Sequence, residues 1–268
     1  MLVFFALLLD FCIYLLCCEH LASVTFMCYM CCTTFSGRCD VVDIAMLVDT
    51  STSVMRVWSG TRGIQDFLRQ FINRVDIGEN EVRMSVQTFA DAAFVNWNFD
   101  VYYNSAPMID QVQSIYFRRS DQTLYDVAFN FALSDQFVTS LGDRPNVRNI
   151  AILVTDGSTS YNRNEVLAAA TNLRNRGVDL YIVGWGAVDS NAMLELVGGD
   201  SRKLYTTTEY SDLVLNLDQI LNMVCPLTSA PVPPPVPTPG PVPTPFPPFP
   251  TVTPNPQIAP GMFHIHYN

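Results

Sequence analysis

Lysine and histidine are scarce in this chain, and their scarcity excludes several kinds of functional site. The 268 residues include a single lysine, Lys203, with 14 arginines and a formal net charge of −10. Such a chain has no basic stripe to neutralise a phosphate backbone, which argues against nucleic-acid binding. All three histidines lie outside residues 39–225. That segment therefore cannot build a Ser-His-Asp or Cys-His nucleophilic site. It also cannot build a zinc site with the usual sulfur and imidazole ligands, so we expect any metal there to be bound by oxygen atoms.

Cysteine and proline are concentrated towards the two ends of the chain. Six of the eight cysteines lie in the first 32 residues, and 15 of the 18 prolines lie between residues 231 and 260. The proline density excludes helix and central strand, so residues 227–268 are predicted to form a disordered, extended Pro-rich tail. This tail is either a spacer or a docking segment for a proline-binding groove.

Residues 1–37 form a separate N-terminal segment. The first 18 residues are apolar except for Asp10. This composition favours a signal peptide and a secreted protein, although no basic residue precedes the apolar run. An uncleaved membrane anchor is the second interpretation, because an apolar stretch near 20 residues can cross a bilayer. The third interpretation is that the start codon has been placed too early.

Residues 38–226 have the alternating pattern of a folded α/β domain. Short apolar runs predict strands at residues 41–48, 82–89, 93–99, 150–155, 180–184 and 204–207. Apolar residues spaced by three and four predict helices within residues 64–72, 124–132, 166–173 and 213–223. The linker of residues 90–92 is too short for a crossover, so the second and third strands must be antiparallel. We predict a doubly wound, mostly parallel sheet with one antiparallel edge strand.

Ligands bind such sheets beyond the carboxyl ends of the strands. Asp49, Ser51 and Ser53 follow the first strand as D-x-S-x-S, and Thr155-Asp156-Gly157 ends the fourth. Neither loop has the G-x-G-x-x-G pattern of a dinucleotide site, which argues against a Rossmann cofactor.

These two motifs, in this order on these strands, resemble those of the von Willebrand factor A domain, and the resemblance covers essentially all of residues 40–224. In that family a threonine in the loop before the third helix completes the site, five residues before a small residue. Thr123, with Ala128 five residues later, matches this position. The resemblance implies a metal-ion-dependent adhesion site formed by five residues: Asp49, Ser51, Ser53, Thr123 and Asp156.

The chemistry of this ligand set fits Mg²⁺ or Mn²⁺. Hard cations prefer oxygen ligands, and here neutral hydroxyls supply part of the shell while two carboxylates balance the charge. The cation would then remain attractive to one acidic side chain of an extracellular partner, such as a matrix protein, a collagen-like chain or a receptor. The alternative is that the three hydroxyls only cap helices and turns.

Asp121 departs from the family pattern, which commonly has a small neutral residue before the threonine. Its charge either adds to cation affinity and repels an acidic ligand, or interacts with the dipole at the start of the third helix.

The resemblance also implies a disulfide between Cys39 and Cys225, which flank the domain.

Three functions remain open on the sequence. We expect a non-enzymatic adhesion or matrix protein that binds its partners through the metal. The first alternative is a structural matrix component whose metal site is vestigial. The second is a metal-dependent hydrolase. The sequence argues against it, because position 51 is a serine rather than a second aspartate and no lysine lies between Asp49 and Asp156.

Overall fold

The computed structural model describes residues 39–157 and 162–226. The predicted signal or anchor (1–37) and the Pro-rich tail (227–268) lie outside these residues. Within the described part of the chain, none of the helices combines the length and the apolar character needed to cross a membrane.

Six strands form one sheet with the order β3-β2-β1-β4-β5-β6. The strands are β1 Val42–Asp49, β2 Val82–Phe89, β3 Ala93–Trp97, β4 Arg148–Thr155, β5 Val178–Trp185 and β6 Leu204–Thr207. The β2–β3 pair is antiparallel and the other neighbouring strands are parallel. The predicted mostly parallel sheet with one antiparallel edge strand is therefore confirmed, with strand ends that differ from the prediction by at most two residues.

The central strand β1 explains why the sheet needs cover on both faces. All eight of its residues are buried, including Asp43 and Asp49 at its two ends. It pairs with β2 on one side and with β4 on the other, so Val48 lies beside Val154. This register brings the carboxyl ends of β1 and β4, and the polar loops that follow them, to the same edge of the sheet.

Helices pack on both faces of the sheet. Their bounds are α1 Ile64–Ile72, α2 Ser105–Val112, α3 Tyr125–Phe131, α4 Arg163–Asn175, α5 Ser190–Leu196, α6 Asp212–Leu215 and α7 Leu217–Val224. One apolar layer includes Phe67 and Phe71 of α1, and the opposite layer includes Phe129 of α3 and Leu173 of α4. This two-layer cover confirms the doubly wound architecture.

The structure differs from the predicted helices in four places. Helices α2 and α5 were not predicted, and the helix predicted over residues 213–223 is divided into α6 and α7 at Asn216. A π-helical turn, Ala132–Gln136, extends α3. Helix α4 ends two residues before Gly177, whose φ of 86° is one that glycine adopts without strain.

The amino end of β1 is fixed by a buried ion pair. Asp43 is fully buried, and Arg144 donates to both of its carboxylate oxygens through its guanidinium and its backbone amide, at 2.6 to 2.9 Å. The same guanidinium also donates to the backbone carbonyls of Val42, Glu79 and Glu81. The charge on each group is thus compensated where water is excluded.

Cys39 and Cys225 meet at this same end of the domain. Their sulfur atoms lie within bonding distance, and their Cα atoms are 4.8 Å apart across a sequence separation of 186 residues. Cys39 lies just before β1 and Cys225 just after α7, so a bond between them joins the two ends of the folded segment.

Candidate functional site

The first polar loop begins at the buried end of β1. Asp49 has no solvent exposure, and its Oδ1 accepts a hydrogen bond from the backbone amide of Ser51 at 2.8 Å. The Ser51 and Ser53 hydroxyl oxygens are 3.0 Å apart, with Ser51 buried and Ser53 exposed. These contacts form a row of oxygen atoms that runs from the core towards the surface.

The second polar loop lies directly beside the first. The hydroxyl of Thr155, at the end of β4, donates to Asp49 Oδ2 at 2.8 Å. Asp156 follows and is partly exposed, and its charge acts on Asp49. Gly157 has a φ of 80°, and a Cβ on this residue would lie 2.7 Å from Cγ2 of Val188. Both the backbone conformation and the space therefore require glycine after Asp156.

The third polar loop precedes α3 and contains Thr123, which is 3% exposed. The backbone amide of Thr52 donates to the carbonyl of Ser120 at 2.8 Å, and the amide of Leu124 donates to the carbonyl of Ala90 at 2.9 Å. These bonds hold the third loop against the first loop and against the β2–β3 turn. The structure thus brings the three loops that carry the five predicted ligands to one edge of the sheet.

Burial dominates the electrostatics of this site. It raises the pKa of Asp49 from 3.8 to about 6, hydrogen bonds from Ser51 and Thr155 oppose the increase, and the nearby charge of Asp156 adds to it. None of the ion pairs between described residues involves Asp49. An ionised carboxylate in this position is therefore poorly compensated by the protein, and a cation beside it would favour the ionised form.

The donor set fits a hard divalent cation rather than a soft one. It combines two carboxylates with three hydroxyls, all of them oxygen donors. Among residues 39–157 and 162–226, no group of three or more histidine, cysteine, aspartate or glutamate side chains forms a metal cluster. A site here would therefore depend on its serine and threonine hydroxyls.

Asp121 does not occupy the helix position considered for it. Helix α3 begins at Tyr125, so Asp121 lies exposed in the loop, and the acidic residue in the first turn is Asp126. The interpretation that places Asp121 at the start of the third helix is therefore wrong, because it lies four positions before Tyr125. An effect of its charge on the metal site stays a prediction.

Tyr125 is a site residue that the sequence analysis did not single out. Its hydroxyl lies 2.9 Å from Thr155 Oγ1. In the sequence it belongs to an apolar helical pattern, which predicts only a core position. Its hydroxyl is significant because of a contact with a residue 30 positions away, and no local pattern signals that contact.

Comparisons with known proteins agree on the type of domain. The chain is 26% identical over 190 residues to the collagen alpha-1(XII) chain of Notophthalmus viridescens, covering 70% of this chain and 20% of the relative. It is 28% identical over 155 residues to matrilin-3 of Gallus gallus, covering 57% of this chain and 33% of the relative. The chain thus spans a third or less of the length of these two relatives.

A solved structure shows the same fold. Proximal thread matrix protein 1 from the mussel byssus, solved with a zinc-occupied MIDAS motif, superposes with a TM-score of 0.63 at 20% identity, covering 71% of this chain and 50% of that one.

The family assignment follows from the sequence match. Residues 43–220, about two thirds of the chain, match the von Willebrand factor type A domain. This segment includes all three polar loops and all six strands of the sheet except Val42, the first residue of β1. The chain therefore belongs to the von Willebrand factor type A domain family.

Proposed function

We propose that this protein is a secreted adhesion or matrix protein that binds extracellular proteins through a divalent cation, Mg²⁺ or Mn²⁺. In this proposal Asp49, Ser51, Ser53, Thr123 and Asp156 hold the cation. The observation that carries it is the buried carboxylate of Asp49, surrounded by three oxygen-rich loops and without an ion-pair partner among the described residues. Burying an uncompensated carboxylate is costly, and a bound cation would offset that cost.

The bound cation would act in recognition. Three of its five protein ligands are neutral, so the two carboxylates balance a divalent charge without exceeding it. A partner's aspartate or glutamate is then attracted to the metal, and the contact strengthens where water is excluded. We propose no catalytic step, since residues 39–225 contain no histidine to act as a base or a nucleophile partner.

The relatives support the extracellular assignment. A collagen chain and a matrilin are similar in sequence to this chain over 190 and 155 residues, and a mussel byssus matrix protein with the same fold was solved with a zinc-occupied MIDAS motif. We propose the corresponding organisation for this chain: a signal or anchor at 1–37, the A domain at 38–226 with a Cys39–Cys225 disulfide, and a Pro-rich spacer at 227–268.

Metal binding is tested with purified full-length chain. Titration calorimetry should show binding of Mg²⁺ or Mn²⁺, and the melting temperature should rise with either cation, because a ligand that binds the native state stabilises it. Ser53→Ala and Thr123→Ala should weaken the affinity. Thr52→Ala is the matched control, since Thr52 is an exposed residue of the same loop, and its side chain forms no hydrogen bond with another described residue. Absence of heat and of any melting shift at millimolar cation would refute the site.

Partner binding separates adhesion from the structural alternative. Retention of the chain on an immobilised extracellular-matrix extract should be lost in EDTA and in Thr123→Ala. Asp121→Ser should increase retention, because it removes a negative charge that competes with the acidic ligand. Equal retention in all these conditions would instead favour a structural component that binds through its tail or outer helices.

A further inference from the structure

We propose that Tyr125 and Thr155 are positioning residues for the metal site, with the Thr155 hydroxyl acting as the buried junction that fixes the three ligand loops relative to one another. This inference rests on the proposed metal site, but its geometry does not depend on a bound ion. Thr155 Oγ1 lies within 2.8 Å of Asp49 Oδ2, 2.9 Å of the Tyr125 hydroxyl and 3.2 Å of the Gly157 amide.

Each of these three contacts belongs to a different ligand loop. Asp49 begins the first loop, Gly157 follows Asp156 in the second, and Tyr125 comes two residues after Thr123 of the third. One hydroxyl group therefore connects all three loops at a position with no exposure to solvent. A displacement of any loop by a fraction of an ångström would lengthen at least one of these bonds.

The direction of the hydrogen bonds follows from the groups involved. The ionised carboxylate of Asp49 can only accept, so Thr155 must use its single proton to donate to Oδ2. The amide of Gly157 can only donate, and it does so to Thr155 Oγ1. The remaining lone pair of Thr155 therefore accepts from Tyr125. The result is a chain of two hydrogen bonds, from Tyr125 to Thr155 and from Thr155 to Asp49, which we call the relay.

Packing fixes the position of the Tyr125 hydroxyl. The ring is fully buried, meets Phe89 edge-on at 5.9 Å between centroids, and lies 6.5 Å from the ring of Phe129. Phenylalanine would preserve these ring contacts and remove only the hydroxyl. Tyr125→Phe therefore tests the hydroxyl while the ring stays in place.

The relay should affect cation selectivity as well as affinity. Mg²⁺ requires nearly ideal octahedral geometry at 2.0 to 2.1 Å, whereas Ca²⁺ accepts longer and more variable distances. A site whose loops are fixed by a buried junction can supply the narrow geometry. Loosening the junction should therefore weaken Mg²⁺ binding more than Ca²⁺ binding. A side chain needed only for general stability would not change this ratio.

The experiment uses the full chain at pH 7.5 and measures Mg²⁺ and Ca²⁺ affinities by calorimetry. Loss of an outer-shell partner typically reduces metal affinity about 10- to 100-fold, so we expect Tyr125→Phe near the low end for Mg²⁺ and Thr155→Val near the high end. The Mg²⁺ to Ca²⁺ affinity ratio should fall in both variants. Adding Tyr125→Phe to Thr155→Val should have no further effect on Mg²⁺ binding, because Tyr125 acts through the Thr155 hydroxyl.

Tyr181→Phe is the matched control. Tyr181 is also buried, and its hydroxyl accepts from Arg148 at 2.8 Å, outside the three loops. This variant should leave both metal affinities unchanged. Unchanged Mg²⁺ affinity in Tyr125→Phe, an unchanged affinity ratio, or additive effects in the double variant would each overturn the inference.

A metal-free measurement separates failure of the relay from failure of the proposed function. In EDTA, amide hydrogen exchange at Ser51 and Gly157, followed by NMR, should accelerate in Tyr125→Phe and more strongly in Thr155→Val. If the wild-type chain binds no metal, this acceleration would still support the junction, and the proposed function alone would fail. Exchange rates equal to those of wild type would overturn the junction even if the chain binds metal.

Discussion

Replacing Asp49 with asparagine should stabilise the metal-free protein while abolishing metal binding. Asp49 is fully buried, and its pKa in the folded protein is raised from 3.8 to about 6, chiefly by burial. One pKa unit corresponds to about 1.4 kcal/mol. At neutral pH the ionisation of Asp49 therefore lowers the free energy of unfolding by about 3 kcal/mol, compared with a side chain that stays neutral. Asparagine resembles the neutral acid in size and charge.

The surrounding hydroxyls can adapt to the amide. Asparagine Oδ1 would keep the hydrogen bond from the Ser51 amide, and its Nδ2 would donate to Thr155 Oγ1. Thr155 would then donate to Tyr125, because the protons of both hydroxyls rotate freely. We therefore expect Asp49→Asn to increase the free energy of unfolding in EDTA at pH 7.5 by about 1 to 3 kcal/mol.

The pH dependence gives this prediction its sharpest test. Because the folded pKa exceeds the unfolded one, the folded state binds more protons between pH 4 and 6, and wild-type stability falls as the pH rises through this window. The difference between Asp49→Asn and wild type should therefore shrink by about 1.4 kcal/mol between pH 7.5 and pH 5.

Urea unfolding in EDTA at the two pH values measures both quantities, and comparing the two proteins cancels the titration of every group that does not interact with Asp49. Asp91→Asn is the control, since Asp91 is an exposed acid in the neighbouring β2–β3 turn, and surface changes of this kind stay within about 0.5 kcal/mol. An Asp49→Asn protein that is less stable than wild type at pH 7.5, or a difference that does not change with pH, would refute the reasoning.

Two further predictions concern the opposite end of the domain. Arg144→Ala leaves Asp43 buried and unpaired, so urea unfolding should show a loss of about 3 to 5 kcal/mol; a loss below 1 kcal/mol, roughly that of an exposed pair, would contradict the role of this contact. Peptide mapping without reductant should recover Cys39 and Cys225 in one linked species, and free thiols at both positions would contradict the bond. Reduction should destabilise the domain by about 4 to 5 kcal/mol in the chain-entropy model.

The sheet was predictable because its signals are local. Strands β1 and β4 are nearly continuous apolar runs, which is typical of parallel strands covered on both faces. The three-residue linker between β2 and β3 leaves no length for a crossover, so their antiparallel pairing follows from chain geometry alone. Helices α2 and α5 are only eight and seven residues long. Each buries only two side chains, Met108 and Val112 in α2 and Met193 and Leu196 in α5, and two apolar positions are too few to reveal a period.

Only part of the site was predictable, because some of its residues are close in sequence and others meet only in the folded chain. Asp49, Ser51 and Ser53 are close in sequence, and their spacing after a buried strand carries the signal. The contact between Thr155 and Asp49 joins residues 106 positions apart, and the ion pair between Asp43 and Arg144 joins residues 101 positions apart. Such contacts depend on how the sheet is assembled, and no local pattern encodes them.

The meeting of Cys39 and Cys225 has a mechanical consequence for the proposed matrix role. With the bond formed, tension between the two flanking segments is carried by the sulfur bridge and does not load the fold. Tension between a bound partner and either flank takes another path, since the polar loops lie at the far end of β1, about 25 Å away for a strand of this length. That load runs along β1, where the hydrogen bonds to β2 and β4 on both sides are stressed together in shear rather than broken one at a time.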